Sequence, residues 1–173
     1  MIYASTKTIS FTVIGGAVGQ GRPKFSTFNG RAIAYEPSKS RNEKALYRYV
    51  AQQAMQEAGI NPFPSSMPIS VVIKSYREIP KSKPKWFKEA ALREMVVPVT
   101  KPDCDNVCKL ILDAVTETCF MDDKCVYKLE YESFYSDTPR AEVTVTGYFV
   151  DYDQVKRELN KIKRSEEAPV DKI

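Results

Sequence analysis

The sequence predicts a small α/β (α+β) domain, one mixed β-sheet packed with helices. Three observations predict it. Several segments alternate apolar and polar residues as half-buried strands do, others repeat apolar residues at helical spacing, and the two kinds follow one another in the order β-α-β-α-α-β-β. With 173 residues, the chain is long enough to bury one real core. Residues 1–150 are read as one domain and 151–173 as a charged helical extension.

KTISFTVIG opens the domain with a strand over 9–14. GGAVGQGRPKFSTFNGRAIAYEPSKS follows as a long loop punctuated by Gly and Pro, with Arg22, Lys24 and Arg31 among Phe25, Phe28 and Tyr35. Loop aromatics more often pin a loop to the core than contact a ligand, and that is the expectation for these three. Ser38 or Ser40 can cap a helix over 39–58 that Gly59 ends, with Leu46, Val50, Ala54 and Met55 on its apolar face. PISVVIKSYR reads as a second strand and KPKWFKEAALREM as a short helix. A third helix spans about 105–118. KCVYKLEYESFY and RAEVTVTGYFV are strands joined by the turn SDTP. DYDQVKRELNKIKRSEE begins the extension, and the last few residues are expected to be loose.

No apolar run is long enough to span a bilayer, and MIYASTKTISF lacks the basic and apolar regions of a secretory signal, so a cytoplasmic protein without membrane contact is expected. The net charge is only +4, but residues 1–50 hold Lys7, Arg22, Lys24, Arg31, Lys39, Arg41, Lys44 and Arg48 against Glu36 and Glu43. That asymmetry suits a polyanionic partner, nucleic acid first, and equally suits a solvated basic surface. Gly16 to Arg22 has the outline of a phosphate-binding loop, but Arg-Pro stands where Lys and Ser or Thr would be needed. The four cysteines, Cys104, Cys108, Cys119 and Cys125, include no C-x-x-C and have no histidine beside them. Reduced, buried thiols are a better reading than zinc.

KPDCDNVCKLILDAV, residues 101–115, raises the main question. Wound as a helix, it puts Val107, Leu110, Ile111, Ala114 and Val115 on one face and Asp105, Lys109 and Asp113 in a column on the other. Asp103 precedes the first turn, and Asp122-Asp123 follow after a short apolar return. One reading has an Asp capping the helix and Lys109 pairing with its neighbours. The other has Asp103, Asp105 and Asp123 converging on a hard divalent cation, Mg²⁺ or Mn²⁺. Spacing alone leaves both open. An EF-hand does not fit, because Cys108 occupies the place of its required glycine.

The combination KPDCDNVCKLILDAV…FMDDKCV closely resembles the core of the RusA family of crossover-junction endodeoxyribonucleases, and GRPKF and AYEPSK are similar to its basic N-terminal stretch. The resemblance covers most of residues 8–148. It implies a RusA-like homodimer that resolves four-way (Holliday) DNA junctions with Mg²⁺ in recombination and repair, in a family with many phage and prophage members. It assigns the metal-binding catalytic carboxylates to Asp103, Asp105 and Asp123, the catalytic lysine to Lys109, and a supporting role to Asp122. Arg22, Lys24, Arg31, Lys39, Arg41 and Lys101 are then expected to grip DNA phosphates. TETCF departs from the family, which commonly has Asn-Gly after the D-A stretch. Two other readings share the basic half: a non-catalytic phage DNA-binding protein, and a nuclease for other branched DNA.

Overall fold

The computed structural model describes residues 3–16, 18–28 and 31–166, without the side chains at 3, 28, 165 and 166. Its frame is a four-stranded mixed sheet in the order β1-β6-β4-β5, formed by β1 (Tyr3–Ile14), β4 (Ile69–Glu78), β5 (Val126–Ser136) and β6 (Arg140–Val150). β6 runs antiparallel to both β1 and β4, and β4 separates it from β5 in the sheet. β4 and β5 are parallel, which requires a crossover. That crossover carries α2 (Lys85–Leu92) and α3 (Cys104–Val115), and so places the acidic segment against the sheet.

Alternation along the strands sends Ile9, Phe11 and Val13, Ile69, Val71 and Ile73, and Ala141, Val143 and Val145 to one buried face. α1 (Ser38–Glu57) and α3 cover that face. The opposite face is polar, with Thr8 bonded to Thr146 at 3.0 Å and Ser10 to Thr144 at 2.9 Å. All five residues expected on the apolar face of α3 are buried, and Cys108 joins them. Burying each of the larger ones stabilises the fold by about 1.5–3 kcal/mol. Of the apolar face expected for α1, Met55 is buried and Val50 and Ala54 pack against the core, whereas Leu46 is exposed and Tyr47 and Ala51 are buried instead. Neither Ser38 nor Ser40 caps it; Pro37 holds the cap position. Gly59 ends the helix at φ 62°, where only glycine is unstrained.

Two further differences concern the N-terminal half and the thiols. The segment read as loop contains a two-stranded hairpin, β2 (Lys24–Phe28) with β3 (Arg31–Tyr35). Phe25 and Tyr35 do not pin it to the core: Phe25 is 74% exposed and Tyr35 is also exposed, and the Phe28 side chain lies outside the described residues. Of the four free cysteines, Cys108, Cys119 and Cys125 are buried as expected, whereas Cys104 is exposed in the first turn of α3. The chain closes with α4 (Tyr152–Glu166), which leaves Tyr152, Leu159 and Ile162 exposed; the last few residues, expected to be loose, lie outside the described part. Among the described residues no helix is long and apolar enough to cross a membrane.

Candidate active site at the start of helix α3

Asp103 occupies the cap position of α3 in an extended conformation, but its side chain makes no capping hydrogen bond. Asp105 lies in the first turn, and Lys109 one turn later pairs with Asp113 at 3.4 Å and not with Asp105. The capping-and-pairing reading of the acids therefore accounts for Asp113 only. Asp103 and Asp105 stay exposed at the helix end whose N–H groups favour negative charge.

The second acidic pair reaches the site through a tight return. Thr116 closes α3 by donating its hydroxyl to Leu112 O at 2.8 Å, and Glu117 turns the chain at φ 66°. Cys119 and Phe120 are fully buried, and backbone bonds on either side of Phe63 fix them: Phe63 N to Cys119 O at 2.8 Å and Met121 N to Phe63 O at 3.0 Å. A short 3₁₀ turn, Asp123–Cys125, then leads into β5. Asp122 caps that turn, accepting from Lys124 N at 3.0 Å, and its carboxylate meets Lys124 Nζ at 2.8 Å. The lysine ammonium and the turn N–H hold the Asp122 carboxyl below the ordinary aspartate range. Asp122 supports the turn; Asp123 lines one cavity with Asp122 and another with the helix residues Asp105 and Lys109.

Three cavities border α3; in one of about 340 Å³, Asp113 and Thr116 are joined by Arg48, Glu117, Met121, Asp122 and Asp123. Asp105, Lys109, Asp113 and Asp123 line a second of about 320 Å³, together with Cys108, Leu112 and Leu129. Asp103 lines the third, about 690 Å³, with Gly19, Gln20, Arg22, Lys101, Pro102 and Asn106. The structure thus brings Asp105, Lys109 and Asp123 together and sets Asp103 in the neighbouring cleft with two cations. All six basic residues expected to meet DNA are exposed. Arg22 and Lys101 share the cleft with Asp103, Lys24 and Arg31 are on the hairpin, and Lys39 and Arg41 are in the first turn of α1.

The segment that delivers these groups is held by partners that sequence reasoning missed. Arg77 on β4 donates to Thr100 O at 2.6 Å, Pro102 O at 2.9 Å and Tyr131 Oη at 3.0 Å, and so fixes the approach to Asp103. Gly19 lies so close to Pro102 and Asn106 that a Cβ there would sit 2.9 Å from Pro102 Cβ. Gln20 N donates to Asn106 O at 2.9 Å, and Gly21 N to Ser40 Oγ at 2.9 Å. These contacts seat the root of the hairpin on α3 and α1. No spacing rule announces an arginine that clamps a loop from a strand more than twenty residues upstream. The Gly-x-Gly before Arg22 was the one visible signal, since paired glycines mark a close backbone approach.

The description Endodeoxyribonuclease RusA matches residues 15–146 of this sequence. The chain belongs to the RusA endodeoxyribonuclease family. It is also 40% identical over 139 residues to the uncharacterized protein YqaN of Bacillus subtilis (strain 168), an alignment covering 79% of this chain and 94% of that one. RusA membership supports a nuclease of the Holliday junction resolvase type that acts on branched DNA, and the α+β fold with its mixed four-stranded sheet is consistent with it.

Proposed function

We propose that this RusA-family chain is a Mg²⁺-dependent endonuclease that resolves four-way DNA junctions as a homodimer in recombination and repair. The observation that carries the reading is the cavity lined jointly by Asp105, Lys109 and Asp123, with Asp103 at the start of the same helix. The donor chemistry suits Mg²⁺, which commonly takes one or two carboxylates and completes its shell with water and substrate phosphate. Among the described residues no three His, Cys, Asp or Glu side chains are grouped closely enough to hold an ion by themselves. Asp105 and Asp123 would hold the ion, with Asp103 beside them. A divalent cation there supplies an acidified water and neutralises charge on the scissile phosphate.

The chain's own residues do the rest. Lys109 carries positive charge into the cavity, where charge accumulates on a phosphoryl group during attack. Arg22 and Lys101 grip backbone phosphate in the adjoining cleft, and Lys24, Arg31, Lys39 and Arg41 extend the contact along the duplex arms, fixing register without reading bases. Symmetric cleavage of two strands needs two equivalent sites, which a two-fold dimer supplies directly. Residues 1–150 are taken as the resolving unit and 151–173 as an appendage.

Asp105→Asn tests the assignment. Cleavage of a synthetic four-way junction should fall at least about 10³-fold, with junction affinity within a few-fold of the parent. Near-normal cutting by the variant would refute the catalytic role of Asp105. Junction binding by the parent chain with no Mg²⁺-dependent scission would point instead to a non-catalytic DNA-binding protein. A sedimentation result of monomer at micromolar concentration would count against the dimer.

A further inference from the structure

Asp113 is the carboxylate in the active-site cavity that neither the ligand set nor the DNA grip uses, and it is the most heavily bound of them all. Its Oδ2 accepts from Lys44 Nζ at 2.9 Å, and Lys44 Nζ is also 2.9 Å from Glu36 Oε1. The Lys44 side chain is only 15% exposed and that of Asp113 28%, so this pair is shielded and held between α1 and α3. Oδ1, the other oxygen, accepts from Lys109 Nζ at 3.4 Å, and Lys109 is 64% exposed. The Gln20 side chain further favours the charged form of Asp113. Partial burial pushes the Asp113 carboxyl up, but Lys44, Lys109 and Gln20 together outweigh it and hold the group below its ordinary value. Burial likewise opposes the charge on Lys44, and Asp113 and Glu36 outweigh that too. Asp113 is therefore a fixed anion at neutral pH.

The asymmetry of the two contacts is informative. A short, shielded bond to Lys44 immobilises the carboxylate, and a longer one reaches the exposed Lys109. An ammonium on a flexible four-carbon stem samples many rotamers unless a fixed charge biases it. A tight pair would neutralise that ammonium and keep it from a phosphate. A loose contact to an anion whose charge is already shared with Lys44 leaves it available.

We propose that Asp113 is a positioning residue that aims the Lys109 ammonium into the cavity it shares with Asp105 and Asp123, and that Lys44 anchors it. The proposal rests on the nuclease reading for its consequence, not for the contact itself. Lys44 also ties Asp113 to Glu36, which follows the hairpin, while Gln20 precedes it. The lysine is thus aimed by the element that carries the root of the basic arm.

The test is a double-mutant cycle on four-way-junction cleavage, with Asp113→Asn, Lys109→Ala and the combination. Asp113→Asn should lower kcat about 10- to 100-fold with KM within two-fold. In the Lys109→Ala background the same change should cost less than two-fold, because it acts through Lys109. Independent, multiplying losses, or full activity in Asp113→Asn, would overturn the proposal. Asp113→Glu, which keeps the charge, guards against a variant that fails to fold and should recover part of the rate. NMR relaxation of the Lys109 side-chain methylenes provides a readout without catalysis: Asp113→Asn must increase their mobility. Unchanged mobility would sink the positioning role even in an active enzyme. Increased mobility in a parent chain that never cuts junctions would sink the nuclease reading and leave the positioning contact standing.

Discussion

Replacing Arg77 with methionine keeps most of the aliphatic stem and removes every bond that ties β4 to the segment before Asp103. The bonds to Pro102 O and Tyr131 Oη are partly buried, at 2.9 and 3.0 Å, and the bond to Thr100 O at 2.6 Å is exposed. A hydrogen bond from a cation is worth about 1.5–3 kcal/mol net when shielded and less where water can replace it. The two shielded bonds give roughly 3 kcal/mol at the low end of that range. Arg77 Nε is buried without a partner, a cost the substitution relieves by about 1 kcal/mol. The net loss is thus about 2 kcal/mol, which in a domain of this size lowers Tm by roughly 4–8 °C. Freed of its clamp, the 100–102 segment no longer fixes Asp103, and a displacement of about 1 Å can cost about 10²-fold in rate. Thermal unfolding and junction cleavage measured on the same preparation check both effects. A Tm within about 2 °C of the parent together with an unchanged rate would refute the clamp and the reasoning behind it.

Four other substitutions probe separate links. Arg22→Ala and Lys101→Ala should each weaken junction binding similarly for any sequence and reduce the slope of log K against log salt by about 1, read from binding isotherms over a salt series. Glu117→Gly removes a side chain from a left-handed backbone at φ 66°, relieving about 1–2 kcal/mol of strain against about 1 kcal/mol of added chain entropy, so urea unfolding should show unchanged or slightly raised stability and not a loss. Lys44→Met tests the shielded pair through pH. Asp113 has its folded pKa depressed below 3.8, so its contribution is present above that value and lost as pH falls through the folded pKa; Lys44 has its folded pKa raised above 10.5, so its contribution is present below that value and lost as pH rises through the folded pKa. The stability gap between parent and Lys44→Met should accordingly be widest near neutrality and narrow at both extremes in denaturant titrations against pH.

Much of the frame is legible in residue order, because each strand and helix carries its own periodicity. The last strand, 140–150, coincides with β6, and the apolar face of α3 is the one its spacing predicts. Strand 9–14 is too short by six residues, since only pairing with β6 extends β1 back to Tyr3. The β2–β3 hairpin escapes notice because its described side chains are exposed, so no buried face imposes alternation on the sequence. The long clamps escape for a different reason: Arg77 to Pro102 and Lys44 to Asp113 join residues 25 and 69 positions apart.

By itself the sequence determined the element types, the basic N-terminal half and the acidic segment whose residues resemble the RusA core, because propensity, periodicity and charge are local properties. Tertiary structure decided the rest. It put Asp105, Lys109 and Asp123 on one cavity and Asp103 on its neighbour, and made Asp113 a shielded partner of Lys44. The physical reason is that charges separated along the chain acquire their roles from distance and burial, and both are set by how α1, α3 and the Phe63-anchored return pack on the sheet.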